Sequence, residues 1–182
     1  MPTVAAMTRS ERMVEIRTER LLLRPASMDD VPAFHGILSD AAAMQFWSTP
    51  PHQDEAETHD WVAAMMAISP GSGEDFVIER DGRVIGKLGL FQFPEIGFIL
   101  HRDTWGRGYA REALTPVLDR AFSVHGLACI EADVDPRNAA SLRLLHGAGF
   151  EETGRASRTW NIGGAWSDSV YLTLRNGQRD VG

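Results

Sequence analysis

The residues best suited to chemistry lie in one short stretch, 105–111. Gly106 and Gly108 lack a Cβ, so a ligand can approach the backbone closely there. A helix that begins after them leaves its first amide N–H groups unpaired, and its dipole adds partial positive charge at the same end. Arg107 and Arg111 place formal charge beside it. The stretch therefore predicts a phosphate-binding loop at a helix N-terminus.

Other interpretations of this stretch compete with a phosphate loop of that kind. A Walker loop ends in Gly-Lys-Ser/Thr, which the Gly-Tyr-Ala at 108–110 does not match. A dinucleotide fingerprint needs glycine or alanine at position 111, where this chain has arginine. Two isolated glycines by themselves favour an ordinary capped helix. The phosphate interpretation therefore depends on agreement with the rest of the chain.

The elements on either side of the loop are predicted by hydrophobic spacing. Residues 76–90 form two apolar runs around an Asp-Gly turn, which indicates a hairpin, and residues 95–100 add a third strand that leads into the loop. The helix after the loop carries one apolar stripe and ends near Gly126. Pro116 lies inside that helix, where we expect a bend one turn before it.

The outer parts of the chain add further strands and helices. Residues 18–25 predict a first strand stopped by proline, and helices are predicted to begin at Ser27, with Asp30 as its capping partner, and near Asp54. A strand over 128–134 precedes a short helix capped by Asn138. Residues 150–154 and 169–174 are expected to pair as two terminal strands, separated by a turn-rich segment around 161–166.

Two blocks of this sequence resemble one enzyme family. Trp-Gly-Arg-Gly-Tyr-Ala at 105–110, followed by Arg-Glu-Ala-Leu, is similar to the pyrophosphate loop of the GNAT N-acetyltransferases, most of all the RimJ/RimL branch. Asn-x-x-Ser at 138–141, before a helix ending in Gly-Phe, resembles the family's second block. Trp105 departs from the usual Gln or Arg. The resemblance spans about 17–174.

The resemblance implies the fold and the cofactor. We expect an α/β (α+β) GNAT fold, with a mixed, mostly antiparallel sheet splayed open in its middle and helices on both faces. Acetyl-CoA would bind in the splayed cleft. The cofactor-binding residues implied in this way are Phe98, Ile99, Leu100, Trp105, Gly106, Arg107, Gly108, Tyr109, Ala110, Arg111, Asn138 and Ser141.

The reaction implied by the resemblance is acetyl transfer from a thioester to a primary amine, without a protein nucleophile. The acceptor could be a protein N-terminus or a small-molecule amine, such as an amino acid, a drug or a polyamine. An alkyl amine with a pKa near about 10 arrives protonated at neutral pH, so a base must accept its proton. We favour Glu95 as the base; further candidates are Glu79, Glu131, Asp133 and, less persuasively, His101.

The group that would protonate the leaving thiolate is less clear from the sequence. Many members of the family place a tyrosine seven residues after the asparagine, but this chain has Leu145 there. Ser141 could instead bond the thiol or orient a water, or serve only as a first-turn helix residue. The missing tyrosine keeps open the alternative of a degenerate acyl-CoA-binding sensor domain.

The acceptor side is predicted only in outline. In the resembling family the first two helices and their connection form one wall of the acceptor site. Phe46, Trp47 and Trp61 are therefore candidates for acceptor contacts, although packing in the core is the simpler role for such residues.

Composition limits the other classes of function. The 182 residues, 43% of them hydrophobic, suit a single domain over 1–182 with a frayed tail over 1–12. A net charge of −7 argues against nucleic-acid partners. A single cysteine, Cys129, with no long apolar segment, predicts a cytoplasmic protein without membrane contact. No spacing suggests a metal site, and either a monomer or a homodimer is compatible with the sequence.

Overall fold

The computed structural model describes residues 14–177. The predicted N-terminal tail, 1–12, lies outside that range. Within it, eight strands form one sheet in the order β1-β2-β3-β4-β5-β6-β8-β7. Their bounds are β1 Ile16–Arg17, β2 Leu22–Arg24, β3 Glu74–Arg80, β4 Arg83–Gln92, β5 Glu95–Leu100, β6 Cys129–Val134, β7 Glu151–Ile162 and β8 Ala165–Arg175. The strand order and the helices between the strands confirm the predicted GNAT fold.

The helices begin where the sequence places capping residues. Their bounds are α1 Val31–Leu38, α2 Glu55–Met66, α3 Tyr109–Ser123 and α4 Ala139–Gly147. Before α1, Ser27 and Asp30 form the predicted capping box around a short 3₁₀ turn. Asp54 caps α2 through its side chain, which accepts a hydrogen bond from the amide of Glu57 at 3.0 Å.

The middle of the sheet is open, as the resemblance implied. β5 and β6 are parallel, and Glu95 opposite Glu131 is the one residue pair in their register. Glu95 is the first residue of β5, so the two strands meet where β5 begins and separate toward their C-terminal ends. The other neighbouring strands of the described sheet pair antiparallel.

Each face of the sheet buries its own apolar cluster. Helix α3 packs on one face through its apolar stripe, which includes Leu114 and Leu118. Helices α1 and α2 cover the other face through Phe34 and Val62, where they meet Ile99 of β5. The gap between β5 and β6 therefore opens between two faces of the sheet that are covered by different helices, α3 on one face and α1 and α2 on the other.

The β3–β4 hairpin turns where the sequence predicts it. Asp81 and Gly82 have φ values of 51° and 77°, so both central residues are left-handed. That backbone twist matches the twist of the flanking strands, which is why Asp-Gly is favoured there. The hairpin holds β3 beside β4, and β4 in turn pairs with β5, the strand that borders the gap.

The predicted first strand was wrong in its extent. Of the predicted 18–25 only 22–24 is strand, because the chain turns at 18–21, where the amide of Thr18 donates to the carbonyl of Leu21 at 2.9 Å. The turn brings Thr18 and Arg20 onto Glu112 in the first turn of α3. The strand is interrupted where Thr18 and Arg20 bond Glu112, a contact between residues too far apart in sequence for a local pattern to indicate it.

The terminal hairpin is longer than predicted. β7 and β8 continue to a two-residue turn at Gly163 and Gly164, with φ values of 57° and 90°. A register shift falls between Ala156 and Trp160. Most side chains of β7 are exposed, so this strand lacks the alternation of apolar and polar residues that would have indicated it. In α3 the helix continues through Pro116, and the bend expected there stays a prediction.

Candidate active site

The glycine-rich loop joins the end of β5 to the start of α3. Gly108 is the residue before the helix and has a φ of 79°, a left-handed conformation that favours glycine. Gly106 has a φ of 70°, and a Cβ there would have no protein atom within 4 Å. The left-handed glycines fix the backbone of the loop, and its outer side leaves space for a ligand, as a phosphate-binding loop requires.

Trp105 connects this loop to the strand before it. Its indole Nε1 donates a hydrogen bond to the carbonyl of Leu100 at 2.9 Å, while about half of the side chain stays exposed. Just before it, the hydroxyl of Thr104 donates to the carbonyl of His101 at 2.6 Å. These bonds hold the loop against the C-terminal end of β5.

A cluster of charged and aromatic side chains braces the first turn of α3. Arg20 donates to Glu112 at 2.7 Å and to the carbonyl of Arg107 at 3.1 Å. The ring of Tyr109 is buried between the guanidinium groups of Arg20 and Arg80, 4.7 Å and 4.9 Å from them. Arg80 also donates to the Tyr109 hydroxyl. This cluster fixes the orientation of the helix end.

Glu112 carries a negative charge next to the predicted phosphate site. Burial by itself would raise the pKa of Glu112, but hydrogen bonds from Thr18 and from Arg20 lower it below its ordinary value. The carboxylate is therefore ionised and paired at neutral pH. Sequence reasoning assigned no role to Arg20 or Glu112, because they are 92 residues apart and no local pattern pairs them.

One cavity of about 840 Å³ runs from this loop into the gap between β5 and β6 and on toward α1 and α2. It brings together nearly all of the predicted cofactor-binding residues. Those that line it are Phe98, Ile99, Leu100, Trp105, Gly106, Gly108, Tyr109, Ala110, Arg111, Asn138 and Ser141. Arg107 does not line it; its side chain is exposed and its carbonyl is held by Arg20.

Asn138 and Ser141 lie at the N-terminus of α4, on the β6 side of the gap. The Asn138 side chain accepts a hydrogen bond from the Ser141 amide at 3.1 Å, which confirms the predicted cap. Because Oδ1 serves the cap, Nδ2 is the atom of Asn138 that a ligand could use. Leu145, at the position where many relatives carry tyrosine, is buried and borders the same cavity.

Glu95 lines the cavity at the point where β5 and β6 meet. It is exposed, and the part of the chain described here offers its carboxylate no ion pair. Of the alternatives, Asp133 lines the cavity but accepts a hydrogen bond from Trp160 Nε1 at 2.9 Å. The other three candidates, Glu79, Glu131 and His101, are not among the lining residues.

Aromatic side chains form the wall of the cavity beneath α1 and α2. Phe46, Trp47 and Trp61 all line it, so the residues expected to face the acceptor do border this space. Trp61 also packs against Phe34, with ring centroids 5.1 Å apart, and therefore serves the core as well.

A buried ion pair on the same side was not predicted. Lys87 Nζ lies 2.9 Å from Asp75 Oδ2, and each side chain is only 3% exposed. Burial raises the pKa of Asp75, and the ammonium of Lys87 opposes that effect without cancelling it. Both residues line the cavity. The one signal for it in the sequence is a lysine inside the apolar run 84–91.

The described residues contain neither a metal-binding cluster nor a membrane-spanning helix. Among residues 14–177, no group of three or more His, Cys, Asp or Glu side chains is arranged to hold a metal ion. Over the same range, the helices are too short or too polar to cross a bilayer. Cys129 is half-buried and does not line the cavity.

With this geometry established, comparison with known proteins identifies the family. A model of the acetyltransferase (GNAT) domain matches residues 20–151. This chain belongs to the GNAT acetyltransferases. An uncharacterised N-acetyltransferase, p20, of Bacillus licheniformis is 30% identical over 151 residues, which cover 78% of this chain and 85% of p20. The family assignment makes this chain an N-acetyltransferase that uses acetyl-CoA, as the resemblance predicted.

Solved structures agree on the fold of this GNAT protein. RimL, a ribosomal L7/L12 α-N-protein acetyltransferase, superposes with a TM-score of 0.81 at 19% identity, covering 94% of this chain and 99% of RimL. A spermidine N-acetyltransferase from Vibrio cholerae, in complex with CoA and spermine, superposes with a TM-score of 0.77 at 21% identity, covering 89% and 99%. At these identities the likeness shows the fold.

Proposed function

We propose that this acetyltransferase moves an acetyl group from acetyl-CoA directly onto a primary amine while both are bound in the one cavity. The observation that carries the proposal is the placement of the α3 N-terminus and the β5–β6 gap in a single continuous space. The thioester supplies the activated acetyl group. Cys129, the one cysteine of the sequence, lies outside the cavity, which supports direct attack by the amine over transfer through a cysteine thioester.

The cofactor would be held from both sides of the gap. The amides at the start of α3 and the charge of Arg111 would bind the diphosphate. At the diverging end of β5, backbone N–H groups around Ile99 and Leu100 would polarise the thioester carbonyl and bond the pantetheine arm. Asn138 would bond the same arm from α4.

The acid–base roles are assigned by position. Glu95 would accept the proton of the incoming amine, directly or through a water, since its carboxylate borders the cavity and forms no ion pair within residues 14–177. Ser141 would bond the departing sulfur from the opposite side of the gap, because its hydroxyl lies on the first turn of α4 beside the cap. The described residues would act as a single catalytic domain, as a monomer or a homodimer.

Matched glycine substitutions test whether the cofactor binds at the loop. Gly108→Glu places a bulky carboxylate at the phosphate site, and Gly126→Glu places one at a glycine of similar φ, 63°, near the other end of α3. Both variants carry a left-handed backbone penalty of about 1–2 kcal/mol. We expect CoA affinity, measured by calorimetry, to fall at least about a hundredfold in Gly108→Glu and to persist in Gly126→Glu.

Thiol release separates catalysis from binding alone. The wild-type protein, given acetyl-CoA and a panel of primary amines, should release free CoA thiol in an amine-dependent manner. Saturable CoA binding with no release for any amine would support the sensor alternative, which the buried Leu145 at the tyrosine position keeps in view. Equal CoA affinity in Gly108→Glu and the wild type would place the cofactor elsewhere.

A further inference from the structure

The Lys87–Asp75 pair lies on the sheet face that α1 and α2 cover, at the floor of the acceptor side of the cavity. The neighbours of Lys87 across the two adjacent strands are Val77 and Ile99, which both belong to the apolar cluster on that face. Replacing such a buried pair by apolar side chains is often neutral or stabilising. Stability therefore does not explain a charged pair in this position.

The surrounding backbone is shaped to accommodate the pair. A Cβ at Gly89 would lie 2.5 Å from Asp75 Oδ1 and equally close to the Asp75 Cα and the Glu74 carbonyl, so glycine at this position lets both the carboxylate and the backbone of β3 approach. A Cβ at Gly97 of β5 would lie 3.6 Å from Lys87 Nζ, so the ammonium sits directly beside the strand that borders the gap. The charged pair is thus built into the side of the cavity from which an acceptor would approach β5.

The ammonium group of Lys87 retains donors that face this space. Of its three N–H groups, one is used by Asp75; over residues 14–177 Nζ makes no second hydrogen bond. Nζ also lies 5.6 Å from the ring centroids of Trp47 and of Phe91, two side chains that line the cavity. The rings enclose the cation without supplying an oxygen for its remaining N–H groups to bond.

We infer that Lys87, held in place by Asp75, donates a hydrogen bond to an oxygen of the acceptor and so selects α-amino carbonyl compounds, such as amino acids or peptide N-termini, over polyamines. This rests on the proposed function. An α-amino carbonyl compound carries its oxygen three bonds from the attacking nitrogen, within reach of an ammonium beside Gly97. A polyamine offers only N–H donors and further positive charge, which Lys87 repels.

Matched pairs of amines test the inference. Phenylalaninamide and phenethylamine differ only in the carboxamide, as do leucinamide and 3-methylbutylamine. The carboxamide also lowers the pKa of the neighbouring amine. For each enzyme we therefore divide kcat/KM for the carboxamide by kcat/KM for the simple amine, and compare this ratio between the wild type and Lys87→Met. That intrinsic effect cancels between enzymes. We expect the substitution to lower the ratio about tenfold to a hundredfold, as for loss of a hydrogen bond to a charged group.

A second variant and a binding control keep the test decisive. Lys87→Met leaves the Asp75 carboxyl buried without its partner, so Lys87→Met/Asp75→Asn, which removes both charges, is measured beside it. An unchanged ratio in either folded variant overturns the inference, as does faster wild-type turnover of spermidine than of both amides. Failure to turn over any amine, with CoA still bound, instead refutes the proposed function.

Discussion

Glu95→Gln, with Glu131→Gln as its control, probes the proposed base most directly. The two glutamates face each other in the register of β5 and β6, and both are exposed. They differ in one respect that matters, because Glu95 lines the cavity and Glu131 does not. The same chemical change, a carboxylate replaced by an amide, is therefore made at adjacent positions inside and outside the site.

Neither substitution should harm the fold. In the part of the chain that the structure covers, no cation pairs with the carboxylate of Glu95 or Glu131. Surface changes of this kind usually alter the free energy of unfolding by less than about 0.5 kcal/mol. Thermal unfolding midpoints of both variants should accordingly lie close to that of the wild type, so any loss of activity can be assigned to chemistry.

The activity of the two variants should differ widely. With an alkylamine acceptor such as phenethylamine, whose pKa is about 10, only about 0.1% of the amine is deprotonated at pH 7, so accepting its proton is a large part of the barrier. A positioned general base contributes about 100- to 10,000-fold. We expect kcat/KM of Glu95→Gln at pH 7 to fall within that range, and that of Glu131→Gln to fall less than about threefold.

The pH dependence distinguishes a base from a binding residue. As the pH rises toward the pKa of the amine, the acceptor arrives already deprotonated, so the deficit of Glu95→Gln should shrink steadily. Initial rates of thiol release between pH 6 and 10, with one acceptor and saturating acetyl-CoA, would measure this. A deficit that stays constant with pH, or an equal deficit in Glu131→Gln, would refute the assignment of Glu95 as the base.

Two further predictions concern the supports of the site. Glu112→Gln removes the charged partner of Arg20 and should lower the free energy of unfolding by about 1–2 kcal/mol. It should also weaken CoA binding severalfold, as measured by calorimetry. If stability falls while CoA affinity is unchanged, the contact is purely structural. For Glu74, burial would raise the pKa, but hydrogen bonds from His125 and Arg120 lower it to about 2, from an ordinary 4.5. After a discount for solvent screening, its contribution is on the order of 2 kcal/mol; it is complete well above pH 4.5 and is lost as the pH falls toward 2. Glu74→Gln should flatten denaturant-measured stability over that window, and an unchanged acid profile would contradict the pairing.

The loop and its flanking elements could be predicted because their signals are local. β5 begins and ends at the predicted residues, and α3 begins at Tyr109 directly after the glycines. The Asp-Gly turn and the Asn138 cap likewise depend on a few consecutive residues. Each of these features is fixed by backbone conformation or by a hydrogen bond that spans less than one helical turn.

The parts that escaped prediction depend on contacts distant in sequence. The first strand breaks because Thr18 and Arg20 reach Glu112, and the Lys87–Asp75 pair forms between neighbouring strands. A lysine in an apolar run could be a surface residue of an edge strand or a buried ion, and the sequence does not distinguish them. The distinction requires knowing that α1 and α2 cover this face of β4.

The topology of the sheet explains why the phosphate site and the gap adjoin. Parallel neighbouring strands need a crossover, and here the crossover from β5 to β6 is the loop followed by α3. A crossover helix begins at the C-terminal end of the first strand, which is also the end where β5 and β6 have separated, since they pair at Glu95. The positive end of the helix dipole therefore lies at the mouth of the opening.

The two faces of the sheet beside that opening suit different ligands. On the α3 face, the helix N-terminus and Arg111 suit a diphosphate. On the α1–α2 face, aromatic rings and the Lys87–Asp75 pair suit a smaller, less charged molecule. A thioester inserted through the gap from the first side would present its carbonyl to an amine on the second. An acceptor that bound on the α3 face would be incompatible with this division, and competition between CoA and the acceptor in initial-rate kinetics would reveal it.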